Sequence, residues 1–267
     1  MTAAFFDVDN TVVKGSSLFL IGRGLIAHGV VSRRDVARYA LVQVLFRLRG
    51  EHLGHLAGAQ DRALALGAGL LVDDVVATGR QVYEERVAGR LWPQTVALAL
   101  GHLAAGEQVW LVSAAPVELV QIIAGRLGLT GGLGTAAEVR DGRWTGRLAS
   151  PILHGSAKAV AVRALAVERG LSLGRCHAYS DSINDKYLLA AVGHAHAVNP
   201  DRRLLRLARH QGWPVHRHRT EPWRAACTAL LSRLRIPFWP VRWWPQPVER
   251  MSMWGRAQVI RRPRRTT

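Results

Sequence analysis

Near its start the chain reads Ala3-Ala4-Phe5-Phe6-Asp7-Val8-Asp9-Asn10-Thr11, and this stretch decides the fold. A short apolar run that ends in a carboxylate is typical of a buried strand that opens into a polar site. Asp7 and Asp9 are two residues apart where the chain leaves the strand, so their carboxylates can converge on one site. The competing interpretation is a helix cap or a turn, because Asp, Asn and Thr favour both.

The chain beyond this stretch alternates between strand-like and helix-like segments. Apolar runs of strand length occur at 108–112, 176–179 and 194–198, and helical patterns occur at 93–104, 116–127, 156–169 and 184–191. This alternation predicts an α/β fold with a parallel sheet and right-handed crossovers. Functional groups in such sheets gather at the carboxyl ends of strands, which is where Asp7, Ser113 and Asp181 fall. The Asp141-Gly142 pair predicts a hairpin within 135–148.

Two segments do not follow the alternation. Residues 13–91 carry apolar positions at spacings of three and four, which predicts a helical insert after the first strand. Residues 216–267 are rich in Pro, Trp and Arg and are interpreted as a basic C-terminal extension. The expected division is therefore an α/β core of residues 1–12 and 92–215, the insert, and the extension.

The positive charge of the chain is concentrated near its C-terminus. The formal net charge is +17, and residues 202–267 contain 16 Arg but only two acidic residues. The extension could pack in part on the core and otherwise remain solvated. Its Arg and Trp residues also suit an anionic membrane surface or a nucleic-acid backbone. Nucleic acid is the least favoured partner, because the chain contains no recognisable nucleic-acid-binding motif.

Three further positions carry side chains suited to phosphate or metal chemistry. The stretch Ser180-Asp181-Ser182-Ile183-Asn184-Asp185 could complete a Mg²⁺ site with its carboxylates, or it could cap the helix that follows. Ser113 could bind a phosphate oxygen, although a Ser at a strand end is more often structural. Lys158 is one of three lysines and suits neutralisation of a phosphate, although a Lys in a first helical turn is more often solvated.

Taken in order, these positions resemble the four motifs of the haloacid dehalogenase (HAD) superfamily. They are Asp-x-Asp-x-Thr at 7–11, the strand-end Ser113, the helical Lys158, and Asp-Ser-x-x-Asp at 181–185. The resemblance covers residues 3–200, and the place of the insert is similar to that of the cap in subfamily IB, the phosphoserine-phosphatase-like members. It implies a Rossmann-like HAD core with a helical cap, and an enzyme that hydrolyses phosphoric monoesters.

The resemblance also implies a catalytic pair and a cofactor. Asp7 is the expected nucleophile, which becomes an aspartyl phosphate, and Asp9 is the expected general acid and base. Mg²⁺ is the expected cofactor, with Asp7, the backbone carbonyl of Asp9, and Asp181 as ligands and Asp185 in support. Asp7 should stay ionised beside the cation, whereas Asp9 must hold a proton when the leaving group departs.

The remaining matched residues are expected to hold the phosphoryl group. Thr11, Ser113 and Lys158 are implied at the substrate phosphate, with Thr11 also supporting the loop after the first strand. A hydroxyl can donate to a phosphoryl oxygen, and an ammonium group neutralises its charge. These three residues therefore form the expected phosphate-binding set.

The implied substrate is a small-molecule or lipid phosphomonoester. Phosphoserine phosphatases carry an acidic residue shortly after the first motif, whereas this chain reads Val12-Val13-Lys14-Gly15-Ser16-Ser17. The lysine argues against phosphoserine, which is kept as an alternative. A second alternative is a weakly active protein that binds phosphate or lipid at a membrane surface, although the intact Asp7 and Asp9 argue against it. Transfer of the phosphoryl group to a hydroxyl instead of water uses the same chemistry and stays open.

The expected location is the cytoplasm, with a peripheral position at the inner face of the membrane as a further option. The two cysteines, Cys176 and Cys227, are far apart in sequence, which favours a reducing interior over a disulfide framework. The N-terminus lacks the pattern of a secretory signal. No run of about 18 uncharged apolar residues is present, so a membrane-spanning helix is not expected.

Overall fold

The computed structural model describes residues 1–32 and 67–218, so predictions for residues 33–66 and 219–267 lie outside the described residues. The strands are β1 (Ala3–Asp7), β2 (Gln108–Pro116), β3 (Gly131–Thr135), β4 (Ala137–Arg140), β5 (Arg143–Leu148), β6 (His177–Ser180), β7 (His194–Val198) and β8 (Val215–His216). Six of them form one sheet in the order β3-β2-β1-β6-β7-β8, and every pairing within it is parallel. Strands β4 and β5 pair as the predicted antiparallel hairpin.

Helices separate the strands of this sheet. They are α1 (Ser17–Ala27), α2 (Val72–Val82), α3 (Pro93–Ala104), α4 (Val117–Arg126), α5 (Ser156–Arg169), α6 (Lys186–Leu189) and α7 (Arg202–Gln211). The predicted α/β class with a parallel sheet is confirmed. Within the described ranges, no helix has both the length and the apolar character needed to cross a membrane.

Several elements have the bounds that the sequence predicts. The helices at 93–104 and 156–169 and the strand at 194–198 agree to the residue. Their ends carry strong local signals: Pro93 occupies the first turn of α3, and Gly170 follows α5 with a φ of 62°. Proline is preorganised for a helix start and glycine accepts the left-handed conformation at a helix end, so both boundaries are readable from sequence.

Other elements differ from the prediction. Strand β2 runs past Val112 to Pro116, and the helix predicted over 184–191 is a 3₁₀ turn at Ile183–Asp185 followed by the short α6. The sequence patterns did not predict β3, α7 or β8. Strand β3 is Gly-Gly-Leu-Gly-Thr, and glycine weakens strand propensity. A Cβ at Gly131 would lie 2.6 Å from the Trp110 ring, so close packing explains why glycine occupies that strand position.

The first strand lies in the middle of the sheet and carries the start of the site. All five of its residues are buried. Asp7 pairs with Val112 of β2, and Phe6 pairs with Tyr179 of β6, so all three strands end at the same edge. The residues that leave these strands are therefore brought together at the carboxyl edge of the sheet.

The insert leaves and rejoins the core at adjacent positions. Val13 forms an antiparallel bridge with Leu91, and the Lys14 amide donates to the Arg90 carbonyl at 2.7 Å. This contact supports the predicted insert at 13–91, although the division into domains stays a prediction. At the other boundary, strand β8 pairs with β7 through His216, one residue beyond the predicted end of the core.

The helices α1 and α2 of the insert pack through a glycine. A Cβ at Gly24 would lie 2.3 Å from Val82 of α2, whereas a Cβ at Gly22 of the same helix would meet nothing within 4 Å. The two positions therefore form a matched pair for testing this contact.

We expect opposite effects of Gly24→Ala and Gly22→Ala on the free energy of unfolding, measured with urea. Gly24→Ala overpacks the α1–α2 contact and should destabilise the protein by about 1–3 kcal/mol. Gly22→Ala gains helix propensity without a clash and should stabilise it by up to about 1 kcal/mol. Equal effects of the two substitutions would contradict the described packing.

Candidate active site

The carboxyl edge of the sheet brings together four of the predicted residues. Asp7 ends β1, and Asp181 follows β6 directly. Asp185 ends the 3₁₀ turn after β6, and Lys158 lies in the first turn of α5. Asp7, Asp185 and Lys158 are all buried. The predicted convergence of these residues is therefore present in the fold.

Lys158 is the centre of this cluster. Its Nζ lies 2.5 Å from Oδ1 of Asp7 and 2.8 Å from Oδ2 of Asp185. The solvated alternative for this lysine is wrong, because the residue is only 4% exposed. A buried ammonium is stable only when it is paired and hydrogen bonded, and two carboxylates meet that requirement here.

Thr11 joins two of the carboxylates. Its hydroxyl oxygen lies 3.3 Å from Oδ2 of Asp7 and 3.5 Å from Oδ1 of Asp181. A hydroxyl has one proton, so it donates to one carboxylate at a time. The preceding residue, Asn10, has a φ of 55°, which turns the chain back toward the strand end. Because one hydroxyl reaches both groups, the side chains of Asp7 and Asp181 face the same space.

Asp9 is held by the start of the insert. Its Oδ1 accepts hydrogen bonds from the Ser17 amide at 2.9 Å and from the Ser17 hydroxyl at 2.5 Å. Among the described residues, the hydrogen bonds of this carboxylate are with Ser17 alone. The structure therefore does not join Asp9 to the cluster around Lys158, and its second oxygen is the one available to a substrate.

Ser113 lies beside the cluster on the neighbouring strand. It follows Val112, the register partner of Asp7, at the irregular end of the β2–β3 pairing. Its buried Oγ accepts a hydrogen bond from the Ala115 amide at 3.2 Å. The hydroxyl proton is not used in that bond and can be donated to a phosphoryl oxygen. The role of Ser113, like those of the other site residues, stays a prediction.

The site has more carboxylates than cations to balance them. Burial raises the pKa of Asp7 to about 7, although the Lys158 ammonium offsets part of the effect. Burial and the nearby Asp185 raise the pKa of Asp181 to about 6. Burial lowers the pKa of Lys158, but Asp7 and Asp185 outweigh it and the net shift is upward. One ammonium therefore cannot neutralise the whole cluster.

This charge imbalance fits a divalent cation. Mg²⁺ prefers oxygen ligands, keeps several waters, and needs only one or two carboxylates from the protein. Asp7 and Asp181 face one space and both ionise more easily beside a cation. The expected ligands Asp7 and Asp181 are thus consistent with the donor set at this edge, whereas the ligand role of the Asp9 backbone carbonyl stays a prediction.

Sequence reasoning missed three residues that order the site. Ser180 is buried and donates a hydrogen bond to Oδ2 of Asp185 at 2.8 Å. Asp201 caps α7, accepts from the Ile183 amide at 2.9 Å, and donates its own amide to the Asp181 carbonyl. Asp201 could have been recognised in the sequence, because an Asp directly before a helical segment is typical of an N-cap. Ser17 gave only the signal of a helix start, and its bond to Asp9, eight residues earlier, is not visible in that pattern.

The fold and the site define an α/β enzyme with a carboxylate-lined centre around a buried lysine. The haloacid dehalogenase-like hydrolase family matches residues 4–190 of this chain. Phosphoserine phosphatase SerB1 of Mycobacterium tuberculosis is 51% identical over 214 residues, which are 80% of this chain and 70% of that protein. The chain belongs to the haloacid dehalogenase-like hydrolases, as its motifs predicted.

Solved structures agree with this assignment. A protein with unknown function from Bordetella pertussis Tohama I superposes with a TM-score of 0.71 and 30% identity, over 81% of this chain and 98% of that one. A phospho-aspartyl intermediate analogue of phosphoserine phosphatase has the same fold, with a TM-score of 0.54 and 18% identity, over 85% and 98% of the two chains. The predicted fold class is therefore confirmed by comparison as well as by the sheet itself.

The raised pKa values predict how the stability of the metal-free protein depends on pH. A carboxyl with a raised pKa keeps its proton in the folded state where the unfolded chain has already lost it. Stability is therefore full below the unfolded pKa of 3.8 and falls as the pH rises toward about 6 for Asp181 and about 7 for Asp7. In EDTA, we expect Asp181→Asn to remove about 1–3 kcal/mol of that loss, measured by urea unfolding at pH 4 and pH 8.

The matched control for this experiment is Asp141→Asn. Asp141 lies exposed in the β4–β5 turn with a φ of 49°, a conformation that asparagine also accepts. The control should follow the wild-type pH dependence. If Asp181→Asn also follows the wild-type curve, Asp181 does not carry a raised pKa in the folded protein.

Proposed function

We propose that this hydrolase is a Mg²⁺-dependent phosphatase that cleaves phosphomonoesters through an aspartyl phosphate on Asp7. One observation carries the proposal: the Asp7 carboxylate is buried at the end of β1 between the Lys158 ammonium and the Thr11 hydroxyl. A phosphomonoester repels nucleophiles through its own charge, so a site needs an oriented nucleophile together with cationic and hydrogen-bonding groups for the phosphoryl oxygens. This edge of the sheet provides them.

In the first step, a carboxylate oxygen of Asp7 attacks the phosphorus and the bond to the ester oxygen breaks. The departing oxygen takes the proton of Asp9, so the substrate leaves as an alcohol. Oδ1 of Asp9 is held by Ser17, which orients the other oxygen for this transfer. General acid catalysis of this kind requires a proton donor within hydrogen-bond reach of the leaving oxygen.

In the second step, Asp9 takes a proton from water as the water oxygen attacks the phosphorus. The bond between Asp7 and the phosphoryl group breaks, which releases inorganic phosphate and restores the Asp7 carboxylate. Lys158, Ser113 and Thr11 hold the phosphoryl oxygens through both steps. Bound Mg²⁺ supplies charge stabilisation for the transferring phosphoryl group.

Two observations bear on the class of substrate, and they point in different directions. The mycobacterial relative is named a phosphoserine phosphatase, which supports phosphoserine as substrate. The segment after the first motif argues against phosphoserine, because its charged residue is Lys14 and not an acid. The Nζ of Lys14 lies 4.6 Å from the centroid of the Trp92 ring. A lysine at that place cannot hold the ammonium group of a serine.

A basic cavity within the insert supports an anionic group on the substrate. Helix α2 continues into a π-helical segment (Tyr83–Val87) and a 3₁₀ helix (Ala88–Arg90). The cavity, about 360 Å³, is lined by residues of α1 and of these two segments: Leu20, Arg23, Glu85, Arg86, Gly89 and Arg90. Nε of Arg86 is buried and has no hydrogen-bond partner among the described residues. Glu85 is paired with His28 at 3.1 Å. A carboxylate or second phosphate on the substrate would therefore meet arginine side chains here.

The test of the chemistry is release of phosphate from an aryl phosphate with and without Mg²⁺. We expect Mg²⁺-dependent turnover that Asp7→Asn lowers by about 10³-fold or more, because an amide cannot act as this nucleophile. Acid-quenched wild type should carry a phosphoryl group that mass spectrometry places on Asp7. Asp141→Asn is the control and should keep full activity.

Three outcomes would separate this proposal from its alternatives. Absence of turnover by the folded wild type, on aryl phosphate and on a panel of phosphomonoesters, would favour a protein that only binds phosphate or lipid. Unchanged activity of Asp7→Asn would overturn the aspartyl-phosphate route. Formation of a new phosphate ester at the expense of inorganic phosphate, with glycerol as acceptor, would identify a phosphotransferase.

The specificity is tested with three esters that differ in one group each. These are phosphoserine, N-acetylphosphoserine, which lacks the ammonium group, and phosphoethanolamine, which lacks the carboxylate. We expect kcat/KM for phosphoethanolamine to be about tenfold or more lower than for phosphoserine, because a hydrogen bond between charged groups is lost, and N-acetylphosphoserine to be tolerated.

The arginine substitution that accompanies this panel is Arg86→Gln, with the exposed Arg140→Gln as its control. Arg86→Gln should remove most of the preference for the carboxylate, whereas Arg140→Gln, in the hairpin, should keep it. A preference for phosphoethanolamine in the wild type would contradict an anion-reading cavity and leave the aspartyl-phosphate chemistry untouched.

A further inference from the structure

The amino-terminal edge of the sheet, opposite the candidate active site, carries a cluster of imidazole and carboxylate groups. His102 lies in the last turn of α3, Glu107 immediately precedes β2, and His177 is the first residue of β6. The strand registers bring them together, because Gln108 pairs with Ala3 and His177 pairs with Ala4 at the start of β1. The predicted site at the opposite edge uses none of these residues.

The three side chains have the spacing of a metal site. One ligand atom from each of His102, Glu107 and His177 can be chosen so that all lie within 4.8 Å of one another. Nδ1 of His102 lies 2.5 Å from Oε2 of Glu107, and the rings of His102 and His177 are 4.7 Å apart between centroids. Two imidazoles and a carboxylate are a set that first-row transition metals bind, with the remaining position open to water.

The ring nitrogens that face away from the cluster also have partners. Nε2 of His102 lies 2.8 Å from the Tyr179 hydroxyl, and Nδ1 of His177 lies 3.2 Å from Nε2 of His196. His196 in turn contacts His216 of β8 at 3.2 Å. A metal-binding histidine normally donates its other ring N–H to such an acceptor, which fixes the tautomer and the ring orientation. These contacts leave Nδ1 of His102 and Nε2 of His177 for the ligand role.

We propose that His102, Glu107 and His177 bind a divalent transition-metal ion of the Zn²⁺ class. The site is chemically distinct from the carboxylate site at the other edge, because imidazole suits zinc and its neighbours whereas carboxylates and water suit magnesium. Side chains of His102 and Glu107 are 14% and 19% exposed, so solvent and ions reach the cluster.

The protonation of the histidines is compatible with metal binding. Burial lowers the pKa of His177, with the neighbouring His102 and His194 adding to the effect, and it lowers that of His196 to about 4. The proposed ligand His177 and its partner His196 are therefore neutral near pH 7, and a neutral ring is the form that ligates a metal. The alternative is that His102 and Glu107 form a hydrogen-bonded pair that binds no ion.

A metal at this position would act as a structural link. The three ligands come from the end of α3, the start of β2 and the start of β6, which are separate along the chain. An ion that binds only the folded state stabilises it by mass action. The expected effect of the ion is on the stability of the fold, and it does not depend on the proposed phosphatase activity.

The experiment uses full-length protein without a histidine tag, stripped with a chelator and returned to excess Mg²⁺ at neutral pH. Co²⁺ is added as a spectroscopic probe and Zn²⁺ as its competitor. We expect one equivalent of Co²⁺ to give visible absorption bands of a nitrogen- and oxygen-ligated ion, to be displaced by Zn²⁺, and to raise the melting temperature. Glu107→Gln should weaken binding by tenfold or more, and His177→Asn should abolish the bands.

Two controls keep the outcome specific. His210→Asn removes an exposed histidine of α7 and should leave Co²⁺ binding unchanged. Asp181→Asn removes a carboxylate of the opposite edge and should also leave it unchanged. Loss of the bands in Asp181→Asn with retention in His177→Asn would overturn the proposal. So would the absence of any Co²⁺ bands, or a Zn²⁺ affinity that is equal in wild type and Glu107→Gln.

Discussion

The ion pairs of Lys158 are the interaction on which the candidate site depends. Its ammonium contacts Asp7 and Asp185, which lie 151 and 27 residues away along the chain. A buried cation is costly unless it is paired, so the burial of Lys158 goes with the meeting of α5, β1 and the turn after β6 at one edge. The same requirement concentrates carboxylates there beyond what one lysine can balance. A site suited to a divalent cation and a phosphoryl group follows from that surplus.

The sequence predicted most of this arrangement because its main signals are local. A buried run followed by Asp7, a helix with defined ends around Lys158, and a strand that leads into Asp181 each have their own pattern, and parallel pairing places them at one edge. The features that the sequence did not predict depend on contacts that no local pattern shows. Strand β3 is glycine-rich because side chains such as Trp110 occupy the space of a Cβ. The bond between Ser17 and Asp9 spans only eight residues, but a helix-start pattern does not tell which carboxylate the serine will hold.

The two edges of the sheet differ in chemistry for reasons that the register explains. At the carboxyl edge, carboxylate oxygens from the ends of strands and the turns after them surround the Lys158 ammonium. On one face of the sheet, rings of β1, β6 and β7 form a row: Tyr179 lies 4.3 Å from Phe6 and 4.4 Å from His196 between centroids. At the amino edge of this row, His177 lies 4.6 Å from His194 between centroids. His177 and His194 are register partners in adjacent parallel strands, and so are Tyr179 and His196, which brings these rings into contact. One sheet can therefore hold oxygen-rich and imidazole-rich sites without either disturbing the other.

Among the described residues, Asp9 is the expected site residue whose side chain is hydrogen bonded to the insert. Ser17 begins α1 and holds Oδ1 of Asp9, while Arg23 further along α1 lines the basic cavity with Arg86 and Arg90. Through Arg23, a substrate anion in this cavity would contact the same helix that orients the expected proton donor. Since α1 packs on α2 through Gly24, with no room for a Cβ, that helix has little freedom to adjust alone. We therefore expect recognition of the substrate and orientation of Asp9 to change together, so that changes in the insert alter the rate as well as the affinity.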